Sequence, residues 1–328
     1  MATSSGPGIL ISGVTKFFIM NHITVHGTQS NDGIDLTNIN GQGIDAIQAA
    51  NIDGAANGIL LNGVSGVTIS GNSVNNNFLW GVELLSSNGN TITFMTVSHN
   101  GLSNPSSRTL PDSIPIFLGR GVAGGVMFMS SNHNVLSRSE LSEDGYTGFY
   151  LVNSNDNSVT DVHSRYPDYY GGVLQDSWGN TINKISMQTG DFVGLVIRGG
   201  GDNTVTNSDF SANGPIGNEI KAQVVPYYIS GLYLGWGTQH NTIEFNAANN
   251  GNTGPSLVVD EGSVANPVTS PIQSVNPFNN PITGNDPGTI PSGSAFDSGR
   301  STAAGSNTIC GNSFQSWISP NNPDAPCP

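Results

Sequence analysis

Apolar residues in this chain fall on alternate positions, in short runs that open on glycine. Gly58-Ile-Leu-Leu, Gly81-Val-Glu-Leu, Gly125-Val-Met-Phe, Gly148-Phe-Tyr-Leu, Gly172-Val-Leu-Gln, Gly194-Leu-Val-Ile and Gly231-Leu-Tyr-Leu share one pattern. Nine residues after the glycine, most carry Asn-x-(Ile/Val/Leu), at Asn90, Asn134, Asn157, Asn180, Asn203 and, one residue late, Asn241. From Asn134 through Asn157 and Asn180 to Asn203 the step is 23 each time, and Gly8, Gly33 and Gly58 extend the pattern backwards at a step of 25. A helix would place apolar residues at i, i+3, i+4 and i+7; here Val82/Leu84 and Leu195/Ile197 alternate, which is strand periodicity. A fixed period of this length, built of short strands with corner residues between them, predicts one solenoid coil per repeat. Glycine suits the points where the backbone turns sharply. Aligned asparagines are expected to stack into a buried ladder, each amide bonding the next coil.

The expected fold is therefore all-β, a parallel β-helix (a single-stranded solenoid) of roughly ten coils with two loop inserts and an irregular C-terminal tail. Residues 1–251 form the solenoid and 252–328 a tail packed on it. The tail holds 11 of the 18 prolines and a single basic residue, Arg300, and the motif revives only at Asn307-Thr-Ile-Cys. The inserts are where the period breaks. The step from Asn90 to Asn134 is 44 and brackets Leu102 to Ala123, with Pro105, Arg108, Pro111, Asp112, Pro115 and Arg120. The step from Asn203 to Asn241 is 38 and brackets Pro215 to Ser230, with Glu219, Lys221, Tyr227 and Tyr228. Long inserts in a solenoid rise as walls on one side and serve binding, or are neutral decoration.

Composition narrows the partners. The net charge is −14 with only 10% charged residues, so amides and hydroxyls carry solubility. That balance argues against nucleic acid, which needs a basic stripe, and against anionic membrane surfaces. No apolar run approaches the length of a membrane span. The first ten residues lack a basic n-region and a long h-region, as expected of a chain from which a leader was removed. Cys310 and Cys327 are expected to form a disulfide in an oxidising, secreted or periplasmic setting, with two free thiols as the alternative.

The period also predicts which residues point outward. Positions +2, +5 and +7 after each motif Asn are mostly apolar and face inward; +4 and +6 face out. These are Arg138 and Glu140, then Asp161 and His163, Lys184 and Ser186, and Asn207 and Asp209, with Phe94 and Thr96 in the flanking coil. Neighbouring strands lie about 4.8 Å apart, so Arg138, Asp161 and Lys184 form one row and Glu140, His163, Ser186 and Asp209 the next. Arg165, Tyr166, Asp168, Tyr169 and Tyr170 follow at the adjacent corner. Aromatic rings beside a polar groove suit sugar faces. Cross-strand ion pairs that only fix register are the plainer reading of the same rows.

These repeats resemble the right-handed parallel β-helix superfamily over about residues 8–251. That group includes pectate-lyase-like enzymes, polygalacturonases, alginate lyases and epimerases, and NosD-type periplasmic proteins. The resemblance implies a fold, which hosts many chemistries. A uronate lyase would use His163 or Lys184 as base and Arg138 or Arg165 to neutralise the carboxylate. A glycosidase would use Glu140 and Asp161, about 8 Å apart by strand spacing. The Asn-Thr-Asp, Asp-Asp and Gly-His-Gly motifs of polygalacturonases and the Asp-Pro-His motif of alginate epimerases are absent. The expected function is a secreted carbohydrate-active enzyme, lyase or hydrolase, on a polysaccharide or oligosaccharide. Its site comprises His163, Asp161, Lys184, Glu140, Arg138 and Asp209, with Arg165, Tyr166, Tyr169, Tyr170, Tyr227 and Tyr228 binding substrate. A non-catalytic glycan- or protein-binding module and a small-molecule enzyme roofed by the inserts are the alternatives. No cofactor is expected. Asp32, Asp35, Asp45 and Asp53 leave calcium open, although they fall on different corners, and the histidines show no zinc spacing.

Overall fold

The computed structural model describes residues 6–14, 19–102, 123–167, 170–188, 193–211, 230–235 and 238–244, with five short strands beyond them. Most of both predicted inserts, and Asp168, Tyr169, Tyr227, Tyr228, Cys327 and the Cys310 side chain, lie outside the described residues. The chain forms two compact units, residues 1–168 and 169–328.

In the first unit, each strand pairs in parallel with the strand one coil further along the sequence. One sheet runs through Ile9–Ser12, Ile34–Thr37, Ile59–Asn62, Trp80–Leu85, Gly124–Met129 and Thr147–Val152. The second runs through Met20–Asn21, Asn40–Gln48, Ser65–Ser70, Thr91–Thr93, Val135–Ser142 and Ser158–Arg165. It has a second leg of strands Thr24–His26, Asn51–Asp53, Ser73–Asn75 and Thr96–Ser98, which meets the C-terminal half of Val135–Ser142. No helix occurs among the described residues.

Register explains the core. Ile34, Ile59, Val82, Val126 and Phe149 are mutual partners along one row, and Leu36, Leu61, Leu84, Phe128 and Leu151 along another. All ten are essentially without solvent contact, and each buried side chain of this size contributes roughly 1.5–3 kcal/mol. Gly81 shows why glycine opens these strands: a Cβ there would sit 2.4 Å from Val97 Cγ1 and 2.8 Å from the carbonyl oxygen of Gly125.

The corners are held by the predicted amide ladder. Asn90 donates from its backbone N–H and its Nδ2 to Asn134 Oδ1, at 2.9 and 3.1 Å. Asn134 does the same to Asn157, at 2.8 and 3.2 Å. Each Nδ2 also reaches back to the carbonyl three residues before the ladder member of the previous coil, as in Asn134 to Ser87 and Asn157 to Ser131. A serine ladder, Ser87–Ser131–Ser154, closes the neighbouring corner.

The corners also gather residues of positive φ into columns. One column in this unit is His22, Ala49, Gly71, Phe94, Arg138 and Asp161, with φ between 48° and 64°. This is the left-handed region, which costs an L-residue roughly 1–2 kcal/mol and is tolerated best by Gly, Asn and Asp. The bend separates the two legs of the second sheet.

In the second unit, Tyr170–Trp178, Val193–Gly201 and Ser230–Gly235 pair in parallel, and so do Thr181–Asn183, Thr204–Thr206 and Thr242–Glu244. Its ladder is Asn180–Asn203–Asn241. The parallel pairing continues through Leu257–Val259, Ser294–Asp297 and Ser316–Trp317 in one sheet and Pro281–Thr283 and Thr308–Cys310 in the other. Among the described residues, six strands of the first sheet lie in the first unit and six in the second; about seven turns are regular, against the roughly ten coils expected.

Candidate functional site

The polar face of the first unit is the second leg of its second sheet and the bend before it. Glu140 and His163 are register partners, as are Ser142 and Arg165, in the parallel pair Val135–Ser142 and Ser158–Arg165. Leu141, between them, is buried in the core. Strand alternation therefore sends Glu140 and His163 outward, with Glu140 exposed and His163 half-buried.

Arg138 and Asp161 are both exposed, but they stand at the bend with φ of 48° and 58° rather than on a flat strand. The extended-strand separation expected between Glu140 and Asp161 does not apply across that bend. Arg138 lies over the Phe94 ring, 5.2 Å from its centroid, a contact worth roughly 0.5–1 kcal/mol at an exposed position. Among the described residues of this unit no carboxylate pairs with Arg138 or Arg165. Arg138 therefore makes no cross-coil ion pair with Asp161. The carboxylates that do pair take histidines at the corners: His99 with Glu143 at 2.7 Å, His26 with Asp53 at 2.7 Å and His133 with Asp156 at 3.9 Å.

Tyr166 ends this face, 54% exposed, and Phe94 flanks its other side at 55%. Two exposed rings thus bracket two guanidiniums, a carboxylate and an imidazole. The imidazole Nδ1 is buried and has no hydrogen-bond partner.

Lys184, Asp209 and Tyr170 belong to the second unit. Lys184 is exposed at a bend of φ 53°, next in its column to Asn207 at φ 52°. Asp209 is engaged at both oxygens: Gln188 Nε2 donates to Oδ2 at 2.7 Å, and the Ser211 N–H and hydroxyl donate to Oδ1. Tyr170 opens its strand half-buried. Among the described residues no three His, Cys, Asp or Glu side chains converge on a point that could hold a cation.

Other polar residues were missed by sequence reasoning. On the outward row of the first unit's first sheet, Asp35–Leu60–Glu83–Met127–Tyr150, Glu83 is 4% exposed and Tyr150 fully buried. Asn57 Nδ2 donates to both Glu83 Oε2 at 2.7 Å and Asp32 Oδ1 at 2.9 Å. In the second unit Arg198, itself buried, donates to Gln175 Oε1. The available signal was a polar residue breaking an apolar strand, as Glu83 does in Trp80–Leu85.

Residues 32–184 match a family described as the right handed beta helix region. No curated protein matches the chain in sequence. Among solved structures it is similar to the A-module of Azotobacter vinelandii mannuronan C-5 epimerase AlgE6, at 14% identity and a TM-score of 0.59, covering 96% of this chain and 87% of that one. It is also similar to the Dettilon tailspike protein, at 12% identity and a TM-score of 0.54, covering 88% of this chain and 61% of that one. At such identities the likeness is one of fold. Coil-to-coil parallel register and stacked corner amides, with the family match over residues 32–184, give this chain a right-handed parallel β-helix fold.

Proposed function

We propose that the chain is a secreted glycan-processing protein that holds an acidic polysaccharide on the polar face of its first unit and cleaves it by β-elimination. The observation that carries this reading is the register pair Glu140–His163, flanked by two exposed rings and by two guanidiniums that pair with no described carboxylate of that unit. In a protein of net charge −14, two guanidiniums beside this pair favour an anionic ligand. A uronate carboxylate would take that place. Neutralising it acidifies the neighbouring C–H, which Glu140 accepts as a proton. The departing glycosidic oxygen takes a proton from His163 Nε2, and the electron pair forms the C=C bond of the product. Phe94 and Tyr166 would stack on sugar C–H faces. The fold shared with a mannuronan C-5 epimerase is compatible with such a substrate.

The test is a screen of uronate polymers that follows ultraviolet absorbance of an unsaturated product and, separately, new reducing ends. Wild type is expected to generate both. Glu140→Gln and His163→Ala should each lose at least a hundredfold in rate, the size of a missing acid or base, with an unchanged unfolding midpoint. Reducing ends without absorbance would replace elimination by hydrolysis. Binding without either product would leave a non-catalytic glycan-binding module.

A further inference from the structure

A second amide ladder in the first unit ends on a carboxyl group. Asn77 donates from its backbone N–H and Nδ2 to Asn100 Oδ1, at 3.1 and 2.8 Å. Asn100 repeats this toward Asp144 Oδ1, at 3.0 and 3.0 Å. Asp144 therefore occupies an asparagine position of the ladder. It is 1% exposed, and its Oδ2 is buried without a hydrogen-bond donor.

The ladder also shows what that oxygen faces. In several other members of this kind the second amide atom donates to the carbonyl three residues before the previous ladder residue. Asn100 Nδ2 reaches Val74, Asn134 reaches Ser87 and Asn157 reaches Ser131. For Asp144 the corresponding carbonyl is that of Val97. An ionised carboxylate would set two acceptors against each other, while a carboxylic acid reproduces the asparagine pattern, with Oδ1 accepting and Oδ2–H donating. We propose that Asp144 is held as the neutral acid, its Oδ2–H bonding the Val97 carbonyl, and that it acts as a pH-sensitive lock on the corner where Asn100–Gly101 stacks against Asp144–Gly145.

Burial raises the carboxyl's pKa well above its ordinary value; the two Asn100 hydrogen bonds oppose that shift and the Glu143 charge adds to it. Among the described residues, the titratable groups on the elements packed around this corner are Glu143, next in the chain; His99, which holds Glu143 at 2.7 Å; Tyr146; and Arg165 and Tyr166 on the following coil, whose Arg165 carbonyl accepts the Glu143 N–H at 2.8 Å. The corner is tight. A Cβ on Gly145 would lie 2.8 Å from the Gly101 carbonyl carbon, and one on Gly125 2.7 Å from Asp144 Oδ2. There is no room for water to hydrate an ionised Asp144 without the corner opening.

The sign follows from linkage. The folded state binds the Asp144 proton more tightly than the unfolded chain, so stability is greatest below the unfolded carboxyl's pKa. It falls as pH rises from there through the folded value. Thermal unfolding of wild type and Asp144→Asn across that range tests the lock. The two should coincide at acid pH and diverge as pH rises, the variant becoming at least tenfold more stable in its unfolding equilibrium, about 1.4 kcal/mol for each unit by which the two pKa values differ. Carbon NMR of aspartate carboxyls in the wild type should show one that keeps its proton to higher pH than the others. Parallel stability curves, or ionisation of Asp144 together with the exposed aspartates, would overturn the proposal. The NMR arm stands even if Asp144→Asn fails to fold. Neither arm involves glycan cleavage, so their outcome is separate from that of the polysaccharide screen.

Discussion

At the scale of single residues, the bend column is where chemistry and backbone strain meet. Arg138 and Asp161 hold left-handed conformations; Arg138 is at the same time one of the proposed site's charges, and Asp161 stands next to it in the column. A substitution there can fail for either reason, and side-chain shape separates them. Asp161→Asn removes the charge but keeps a residue that tolerates positive φ. It should leave the unfolding midpoint within a degree while changing polysaccharide turnover. Asp161→Val places a β-branched residue in the same bend, and should lower the midpoint by several degrees, at roughly 1–2 kcal/mol of added strain. Paired calorimetry and rate measurements on the two variants read these effects apart. The outward positions Arg138, Glu140, Asp161 and His163 were legible from the period, because burial forces alternation on any strand with one face in the core. The bend was not legible. Positive φ at Phe94 and Arg138 has no compositional mark, since neither residue type favours it.

At the scale of elements, the ladders do what hydrophobic rows cannot: they fix which coil follows which. Asn134 accepts two hydrogen bonds from Asn90, donates two to Asn157 and one to the Ser87 carbonyl. Asn134→Ala would strand the Asn90 N–H and the Ser87 carbonyl in the interior. Each unsatisfied buried group costs about 1–3 kcal/mol, so a loss of about 3 kcal/mol is expected, seen as a lower denaturant midpoint with an unchanged slope. An equal loss from Asn132→Ala, at a half-buried neighbouring corner where the amide accepts only the Asn155 N–H at 2.7 Å, would mean that the buried amide has no special role. The recurring Asn-x-(Ile/Val/Leu) made this ladder readable in advance. The Asn77–Asn100–Asp144 ladder escaped notice because its last member is an acid, and its period is visible only once the coils are stacked.

At the scale of the whole molecule, stability in a repeat protein is close to a sum of nearest-neighbour terms, and phase matters more than length. Residues 68–90 span one coil of 23, from the residue after Val67 to Asn90. Val67 N–H already bonds Asn90 Oδ1 at 3.1 Å, so these positions are equivalent in successive coils. Deleting 68–90 should retain a cooperative unfolding transition and a β-rich circular dichroism spectrum, whereas deleting 68–79 should abolish cooperativity by turning core positions outward. The sequence by itself determined the repeat, the strand character, the corner amides and the outward positions, because each follows from a local requirement repeated at constant spacing: bury one face, satisfy each backbone group, turn at the corner. Tertiary structure alone decided the bend at Arg138 and Asp161, the stacking of Arg138 on Phe94, the burial of Glu83 and Tyr150 on an outward row, and the isolation of the Asp144 carboxyl. Those depend on which atoms of other coils come within reach, and such contacts exist only after the chain has wound.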